Sequence, residues 1–498
     1  MTDKIFDSTT LERALAFARR EHNLLIDGQS KPAISGARYD VINPATCERL
    51  ASVAQAGAED LELAVKVATE AFNSRWSPLP PNERQRLLWR LSDLIEKNAD
   101  ELAVLETLNN GKPVREARFM DITNAINTLR YCAGWTTKLN GETVSVSHPG
   151  SWHSYTVRQP YAVAGLITPW NAPIMMAVAK IAPALAAGCC AILKPAEHTP
   201  LTAIRIGEIA LEAGIPPGVL NILPGLGTEV GEAIVSHPAI EKISFTGSGC
   251  VGQRILATAS HSLKRVTVEL GGKSANIIMP DADLTKAIPG SAKAIFGNAG
   301  QICNAGSRLY VHSSVYDKTV EGIAEFAHSL VVGNGLSPDT QMGPLISRPQ
   351  LERVCAYIDS GLKDGASLIT GGKTLDIGGH FIEPTIIANT RQSMSVVQEE
   401  IFGPVLAVQR FDDADDLAGI AELANGTHYG LGAMLWTNDL SKAHKLAARF
   451  KAGTVRINGG GLDPALPFGG FKHSGIGRES GREGVEAYTE EKSVMIAL

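Results

Sequence analysis

Residues 242–252, KISFTGSGCVG, contain the sequence pattern that indicates the fold class most directly. A short apolar run ends at Phe245, a glycine-rich turn follows from Gly247, and the next residues begin an amphipathic segment. A strand that passes through a tight glycine turn into a helix is the repeating unit of wound α/β sheets. The stretch therefore predicts one strand–turn–helix unit.

The chain on both sides repeats this unit. Short apolar runs lie at 162–167, 190–193, 220–223 and 266–270, with amphipathic segments between them. Strands that alternate with helices indicate a parallel sheet with crossover helices, which is the geometry of nucleotide-binding domains. We therefore predict an α/β fold with a Rossmann-like sheet in this part of the chain.

A second α/β series runs from about residue 274 to 470. Its strand candidates include residues 275–279, 309–311 and 454–457. Helical periodicity precedes the first series over residues 56–138. Residues 140–160 and the tail from Tyr488 onward have extended β patterns that belong to neither series, so they predict edge strands that need partners.

Composition excludes several classes of protein. The 498 residues allow about three domains. A net charge of −6 with no Lys/Arg block gives no support to a nucleic-acid partner. The most apolar stretch, residues 175–193, contains Lys180, Pro183 and Gly188, so it predicts a helix, a break and a strand and not a membrane span.

The cysteine count favours a reducing compartment. Seven cysteines occur, an odd number, and none forms a CxxC pair. A disulfide framework or structural zinc site is therefore not expected, and no metal is predicted. The N-terminus is charged and helix-like and does not have the pattern of a signal peptide, so we expect a cytoplasmic protein.

Three segments carry groups for covalent chemistry on a carbonyl. Cys303 lies in the glycine-rich, uncharged stretch 296–303, where a turn can present a thiol. Glu269 ends an apolar run 34 positions earlier, and Asn171 lies in the turn 168–173. A thiol nucleophile, a carboxylate base and an amide donor together indicate nucleophilic catalysis. Taken singly, a buried cysteine, a paired carboxylate and a turn asparagine are the simpler interpretations.

These segments together resemble the aldehyde dehydrogenase superfamily. The resemblance covers nearly the whole chain and continues, in the family's order, through Lys194-Pro195-Ala196-Glu197, Phe245-Thr246-Gly247-Ser248, Glu399-Glu400-Ile401-Phe402-Gly403-Pro404 and Pro467-Phe468-Gly469-Gly470-Phe471-Lys472. It implies NAD(P)-dependent oxidation of an aldehyde to a carboxylic acid. Cys303 would attack the aldehyde, Asn171 would stabilise the oxyanion, and Glu269 would activate the water that hydrolyses the thioester.

The resemblance also implies a cofactor site. It places the contacts at Ile167, Thr168, Pro169, Trp170, Lys194, Glu197, Gly227, Gly231, Phe245, Thr246, Gly247, Ser248, Val251, Leu270, Gly271, Gln350, Glu400 and Phe402. The turn at Gly247 would hold the pyrophosphate against the N–H groups of the following helix. Glu197 would bind the adenosine ribose and repel a 2′-phosphate, which predicts NAD, with use of NADP left open.

The substrate tunnel is predicted from the same family positions. They correspond to Met120, Asn124, Ala172, Met176, Ala179, Ile302, Asn304 and Phe468. Many members have large aromatic residues where this chain has Ala172 and Ala179, so we predict a bulky, aromatic or branched aldehyde. Asn124 and Asn304 are candidates to bind a polar substituent.

The family's domain plan divides the chain into three parts. Residues 1–139 and 161–272 would form the dinucleotide-binding domain, and 273–477 the catalytic domain with the nucleophile. Residues 140–160 and 478–498 would form a β arm that pairs between subunits of a homo-oligomer, a dimer or a tetramer.

Three alternatives remain open at this point. A CoA-acylating semialdehyde dehydrogenase would use CoA in place of water, but such members tend to lack the glutamate found here as Glu269. A structural or binding protein could keep the fold without turnover. A cysteine hydrolase would need a histidine base, and no histidine motif accompanies Cys303.

Overall fold

The computed structural model describes residues 6–461 and 463–498, so the first five residues of the predicted first domain lie outside the described residues. The strands are β1 Glu21–His22, β2 Leu24–Ile26, β3 Gln29–Lys31, β4 Arg38–Ile42, β5 Arg49–Ala54, β6 Trp152–Pro160, β7 Val163–Ile167, β8 Cys190–Lys194, β9 Leu220–Ile222, β10 Lys242–Thr246, β11 Arg265–Glu269, β12 Ala275–Ile278, β13 Arg308–His312, β14 Ser367–Thr370, β15 Thr374–Leu375, β16 Phe381–Ile382, β17 Thr385–Ala388, β18 Val405–Phe411, β19 Gly432–Trp436, β20 Thr454–Ile457, β21 Gly475–Ile476 and β22 Thr489–Ala497.

The α-helices are α1 Ser8–Arg19, α2 Ala58–Ala71, α3 Pro81–Lys97, α4 Ala99–Asn110, α5 Val114–Glu116, α6 Thr123–Ala133, α7 Pro173–Ala187, α8 Leu201–Glu212, α9 Glu232–Ser236, α10 Gly249–Ser260, α11 Leu284–Phe296, α12 Tyr316–Ser329, α13 Arg348–Lys363, α14 Ser395–Gln398, α15 Leu417–Asn425, α16 Leu440–Arg449 and α17 Gly481–Glu486. Short π-helical segments at Phe72–Trp76, Ala117–Ile122 and Gly227–Gly231, and 3₁₀ turns at Gly297–Gly300, Ser313–Val315 and Lys472–Ser474, complete the helical elements.

The first α/β series forms an eight-stranded sheet in the order β21-β11-β10-β7-β8-β9-β2-β3. The five central strands are parallel, and β21 and β2 add to its ends in antiparallel fashion. The central strands are almost fully buried, as expected for a parallel sheet covered by helices on both faces. The predicted strand–turn–helix unit at 242–252 is confirmed as β10 followed by α10.

The second series forms a seven-stranded sheet in the order β14-β17-β18-β13-β12-β19-β20, parallel except at β14. Alternation along its strands separates two cores. Ile278 and Leu309 belong to the core beneath α11, α12 and α13, while Ile277 and Tyr310 belong to the core beneath α15 and α16. The predicted α/β class with two wound parallel sheets is therefore confirmed.

Outside the two large sheets, β22 pairs with β6 over nine residues to form an antiparallel ribbon. Residues 143–146, predicted to be extended, lie against β6 through the bridge from Thr143 to Tyr155 and a hydrogen bond from the Val144 N–H to the Ser154 carbonyl oxygen at 2.9 Å, but they do not form a regular strand. A Cβ on Gly141 would lie 1.7 Å from the Thr156 carbonyl oxygen, so only glycine allows the chain to approach β6 this closely.

The apolar stretch 175–193 is the predicted helix, break and strand. It contains most of α7, then Gly188 at φ 104°, then β8. Glycine at this position closes the helix because it adopts the left-handed conformation without a Cβ clash. In the part of the chain that the structure describes, no helix has the length and apolarity to cross a membrane.

Candidate active site

The carboxyl edge of the eight-stranded sheet gathers many of the predicted site residues. Ile167 pairs with Lys194 at the ends of β7 and β8, and Thr246 pairs with Glu269 at the ends of β10 and β11. Ligands of wound α/β sheets bind at this edge, because the loops and the helix N-termini open there. Residues that are up to 102 positions apart in the sequence, from 167 to 269, therefore share one rim.

The loop that carries the predicted nucleophile, residues 297–303 (the nucleophile loop), begins with a strained turn. Asn298, Ala299 and Gly300 all have positive φ, at 45°, 52° and 71°. Gly300 is required there for a second reason, because a Cβ on it would lie 2.1 Å from the carbonyl oxygen of Gly403. Left-handed non-glycine residues cost free energy and persist where surrounding contacts hold them. The turn delivers Cys303, three residues later, as a half-buried thiol.

Asn171 lies directly against this loop. It is buried, and its Nδ2 donates to the carbonyl oxygen of Gln301 at 2.9 Å. In return, the Asn298 side chain donates to the Asn171 carbonyl oxygen at 2.8 Å. The structure thus brings the predicted amide donor within two residues of Cys303 along the loop, and one Nδ2 proton remains for an oxyanion.

A buried charged cluster supports the contact between Asn171 and the loop. Lys112 Nζ donates to the Asn171 carbonyl oxygen at 2.9 Å and forms a buried ion pair with Asp121. Glu116 accepts the backbone N–H of Asn298 at 3.2 Å. Burial raises the pKa of both acids, and Lys112 opposes that shift. Lysine therefore holds together two acids that would otherwise repel each other next to the loop.

Glu269 has very different surroundings. Its side chain is buried, and both carboxylate oxygens are enclosed without a hydrogen-bond partner among the described residues. Burial raises its pKa well above the usual value, the charge of Glu479 raises it further, and Lys180 and Arg478 act in the opposite direction. A carboxylate of this kind is a stronger base than an exposed one.

Glu479 lies behind Glu269 in a buried polar cluster. Lys180 forms an ion pair with Glu479 and donates to Ser244 Oγ at 3.0 Å. Ser244 Oγ in turn donates to Glu479 Oε1 at 3.0 Å. Lys180 comes from the apolar helix α7 and Ser244 from β10, so the cluster joins helix, sheet and the loop after β21.

Glu400 packs onto the glycines that follow Glu269. Its Oε1 accepts the backbone N–H of Gly272 at 3.0 Å. A Cβ on Gly271 would lie 2.1 Å from Glu400 Oε2, so only glycine admits the carboxylate there. Burial raises the pKa of Glu400 to about 7. Burial also raises the pKa of the Cys303 thiol to about 12, with further increases from Glu400 and Glu269.

Two further predicted cofactor residues, Trp170 and Gln350, contact Phe402. The rings of Trp170 and Phe402 pack edge to face with centroids 5.2 Å apart. Phe402 has a φ of 61°, and Gln350 Nε2 donates to its carbonyl oxygen at 2.8 Å. Gln350 thus supports the turn that presents the Phe402 ring.

Lys194 and Glu197 form a pair after β8. Lys194 Nζ lies 3.4 Å from Glu197 Oε2 and donates to the Pro195 carbonyl oxygen at 2.9 Å. Burial lowers the pKa of Lys194, and Glu197 opposes that shift. Gly231 packs against the methylene groups of Lys194, where a Cβ would be 3.5 Å away. Gly227 has open space around it, and Gly252 packs on Leu270.

The predicted tunnel residues lie on two helical regions and on the loops around residues 303 and 468. Ala172, Met176 and Ala179 follow a helical spacing at the start of α7, and the last two are half-buried. Met120 is 53% exposed, which suits a tunnel mouth and not a tight pocket. Asn124 donates to the Met120 carbonyl oxygen at 2.8 Å, so its amide nitrogen is committed to the backbone. Ile302 and Phe468 are half-buried, and Asn304 is buried.

Sequence reasoning missed the charged groups behind the site. Lys112, Asp121 and Glu116 support Asn171 and its loop, and Lys180 and Glu479 lie behind Glu269. Lys180 did carry a signal, because it is the lone charge in the apolar stretch 175–193. A charge in such a helix needs a buried partner. The partner itself, about 300 positions away, has no signal in the sequence.

Comparisons with known proteins agree with this geometry. The model of the family described as "Aldehyde dehydrogenase family" matches residues 32–494. Phenylacetaldehyde dehydrogenase of Pseudomonas fluorescens is 46% identical over 487 residues, which covers 96% of each chain. The NAD+ complex of an aldehyde dehydrogenase from Bacillus cereus has a TM-score of 0.96 at 43% identity and covers 99% of this chain and 100% of that one.

A third relative is a solved structure with two bound ligands. It is a mutant of the P. syringae indole-3-acetaldehyde dehydrogenase AldA in complex with NAD+ and IAA. Its TM-score is 0.95 at 41% identity, and the match covers 98% of this chain and 99% of that one.

Proposed function

The chain belongs to the aldehyde dehydrogenase family, and on this premise we propose that it oxidises an aldehyde to the carboxylic acid through a thioester on Cys303. The observation that supports this most strongly is the contact between Asn171 and the nucleophile loop, with Glu269 enclosed and unpartnered nearby. An amide donor, a thiol and a poised base are the groups that acyl chemistry on a carbonyl needs.

The proposed steps use three side chains. The Cys303 thiolate adds to the aldehyde carbon, and the free Nδ2 proton of Asn171 and the backbone N–H of Cys303 stabilise the resulting oxyanion. Loss of hydride from that carbon leaves a thioester on Cys303. Glu269 takes a proton from water, and the hydroxide that results releases the carboxylic acid.

The proton of Cys303 must leave before attack, because burial and two nearby acids raise the pKa of this thiol to about 12. Glu269 is one of those acids, and its own pKa is raised well above the usual value by burial. Its carboxylate is therefore suited to accept the thiol proton, which it releases to solvent before it accepts the later proton from water.

The residues present fit a dinucleotide. Ser248 makes no capping hydrogen bond to α10, so the first N–H groups of that 12-residue helix are available to an anion such as pyrophosphate. Trp170 and Phe402 offer aromatic faces, and Glu400 and Gln350 lie beside them. NAD, when bound here, supplies the acceptor for the hydride.

We propose a preference for NAD over NADP because of Glu197. Its carboxylate can accept hydrogen bonds from both ribose hydroxyls and would repel a 2′-phosphate. Lys194 lies beside it and would attract that phosphate, so the pair sets the degree of preference. Equal kcat/KM for the two cofactors would contradict this assignment.

The proposed substrate is a bulky, aromatic or branched aldehyde. Ala172 and Ala179 leave space on one face of α7. Relatives named for phenylacetaldehyde and indole-3-acetaldehyde are consistent with an arylalkyl group in such a space.

We propose that the chain forms a homo-oligomer through the ribbon of β6 and β22. The ribbon of β6 and β22 exposes Met495, Ile496 and Leu498, an apolar edge that suits pairing with a second copy in a dimer or tetramer. We also propose that residues 1–139 and 161–272 form the dinucleotide-binding domain, 273–477 the catalytic domain, and 140–160 and 478–498 this arm. Seven free cysteines suit the reducing cytoplasm.

The test is formation of NADH across short aliphatic, long aliphatic, aromatic, terpenoid, betaine and semialdehyde substrates, with CoA present or absent. We expect CoA-independent turnover that Cys303→Ala abolishes. Turnover that requires CoA would instead support the acylating alternative. An absence of NADH with every aldehyde, despite intact NAD binding, would reject catalysis.

A further inference from the structure

Arg456 on β20 is a cation in the catalytic half that the proposed steps do not use. It is half-buried, and among the described residues its guanidinium makes no hydrogen bond or ion pair. None of its nitrogen atoms is among the enclosed, unpartnered ones, so they reach solvent-accessible space. Arg308, by contrast, donates to the carbonyl oxygens of Lys273 and Ala424 and is committed to the protein.

The register of the sheet places Arg456 on the side of the nucleophile loop. Arg456 pairs with Met434 on β19, so the two side chains share a face of the sheet. Met434 Sδ lies 3.2 Å from the Cβ position of Gly306, and a Cβ on Gly432, which shares this face, would lie 3.5 Å from Asn304 Cβ. The face that carries Arg456 is therefore the face on which the segment after Cys303 packs.

Arg456 and Cys303 are close enough to interact electrostatically. Burial lowers the pKa of Arg456, and the Cys303 thiolate is the group that opposes this shift. The reverse influence is minor, because burial, Glu400 and Glu269 dominate at Cys303 and raise its pKa. Activation of the thiol is thus not an adequate role for Arg456.

Asn304 supplies a second polar group beside the nucleophile. It is only 8% exposed, and within the described chain its amide has no hydrogen-bond partner. The amide of Asn304 and the guanidinium of Arg456 therefore lie on the same side of the sheet, next to the segment after Cys303, and both keep donors without a partner among the described residues. Hydrogen-bond donors without protein acceptors favour the binding of a ligand that has hydrogen-bond acceptors and a negative charge.

We propose that Arg456 and Asn304 bind an anionic group, a carboxylate, carried by the aldehyde substrate away from its aldehyde carbon. This inference rests on the proposed function. A planar guanidinium matches a carboxylate with two parallel hydrogen bonds, and their strength increases where water is partly excluded. The same charge repels cationic aldehydes, and neutral ones leave it unpaired.

The first experiment compares ω-oxo acids of four to eight carbons with unbranched aldehydes of equal length. For the wild-type enzyme we expect kcat/KM to favour the oxo acid by about 10-fold or more at the best length, the range of one charge-assisted hydrogen bond. Arg456→Met should remove this preference mainly through KM, and Arg456→Lys should restore part of it. Added salt should weaken it.

A matched control uses Arg449, an exposed arginine at the end of α16. Arg449→Met removes the same charge from a nearby element and should leave the preference intact. Equal kcat/KM for both series in the wild-type enzyme would overturn the proposal. Equal loss in both series for Arg456→Met would also overturn it, because that result indicates a structural role.

A second readout does not depend on turnover. We expect Cys303 to be alkylated several-fold faster by iodoacetate than by its neutral analogue iodoacetamide once intrinsic reactivity is corrected with a free thiol, and Arg456→Met should abolish the excess. Peptide mass spectrometry separates Cys303 from the exposed Cys47 and Cys250. An excess with no NADH from any aldehyde would reject the proposed reaction and keep the anion site. No excess and no oxo-acid preference would reject the site alone.

Discussion

The surroundings of Asn171 and of Glu269 differ in how their polar atoms are satisfied. The Asn171 carbonyl accepts from Lys112 and Asn298, and its side chain donates to the nucleophile loop. Both carboxylate oxygens of Glu269 are enclosed and unpartnered among the described residues. A donor to an oxyanion works best when fixed in advance, while a base must keep its lone pairs free for a proton.

The same difference affects the stability of the folded state. An enclosed polar atom without a hydrogen bond destabilises the folded state, whereas the contacts of Asn171 stabilise it. Each side is backed by a buried lysine paired with an acid, Lys112 with Asp121 and Lys180 with Glu479. The second pair does not touch Glu269 through a hydrogen bond and acts on it only through charge.

Among the proposed variants, Glu269→Gln should have the largest effect on turnover. We expect a single burst of NADH followed by loss of turnover of about 10²–10⁴-fold, because the base is removed while the thiol remains. The folded state should be unchanged or more stable at neutral pH, since an amide replaces an unpartnered carboxyl group. Stopped-flow absorbance and urea unfolding check both points, and normal steady-state turnover would reject the assignment of the base.

Asn171→Ala should lower kcat by about 10²–10³-fold, the usual cost of one oxyanion donor. Unlike the Glu269 variant, it should also destabilise the protein, since Gln301 loses a buried hydrogen bond. Steady-state kinetics and thermal unfolding measure the two effects. A loss of stability with unchanged kcat would leave Asn171 with a structural role only.

Lys112→Met should destabilise the protein by about 3–5 kcal/mol, because Asp121 would be left buried without its partner. The double variant Lys112→Met/Asp121→Leu should recover much of that free energy. Urea unfolding of the wild type, both single variants and the double variant completes the cycle. If the losses of unfolding free energy in the two single variants simply add in the double variant, the ion pair contributes nothing to stability.

The smallest effect concerns pH. The pKa of Glu400 is raised to about 7 by burial, and that of Glu269 is raised as well. The folded state therefore holds protons that the unfolded chain releases near its ordinary pKa of about 4.5. Stability should fall as pH rises from about 4.5 through about 7, and Glu400→Gln should flatten this slope in urea titrations. A slope that stays unchanged in the variant would show that Glu400 does not cause it.

Much of the fold could be predicted from the sequence because its signals are local. The apolar runs at 162–167, 190–193 and 242–245 each became a strand, and the glycine turn at 247 begins α10 as expected. Local patterns decide where a strand or helix forms, since periodicity and turn residues act within a few positions. The extended pattern at 143–146 produced an irregular pairing with β6 and no regular strand, because the length of a ladder depends on the partner strand, which a local pattern does not specify.

For the site, the sequence by itself determined the family, the α/β class and the residues proposed for the chemistry, because those lie in short motifs. The surroundings of these residues depend on the tertiary structure: among the described residues Glu269 is enclosed without partners, Lys180 pairs with Glu479, Lys112 donates to Asn171, and Arg456 shares a sheet face with Met434. Burial and long-range pairing set these energies, and neither is encoded within any one stretch of the chain.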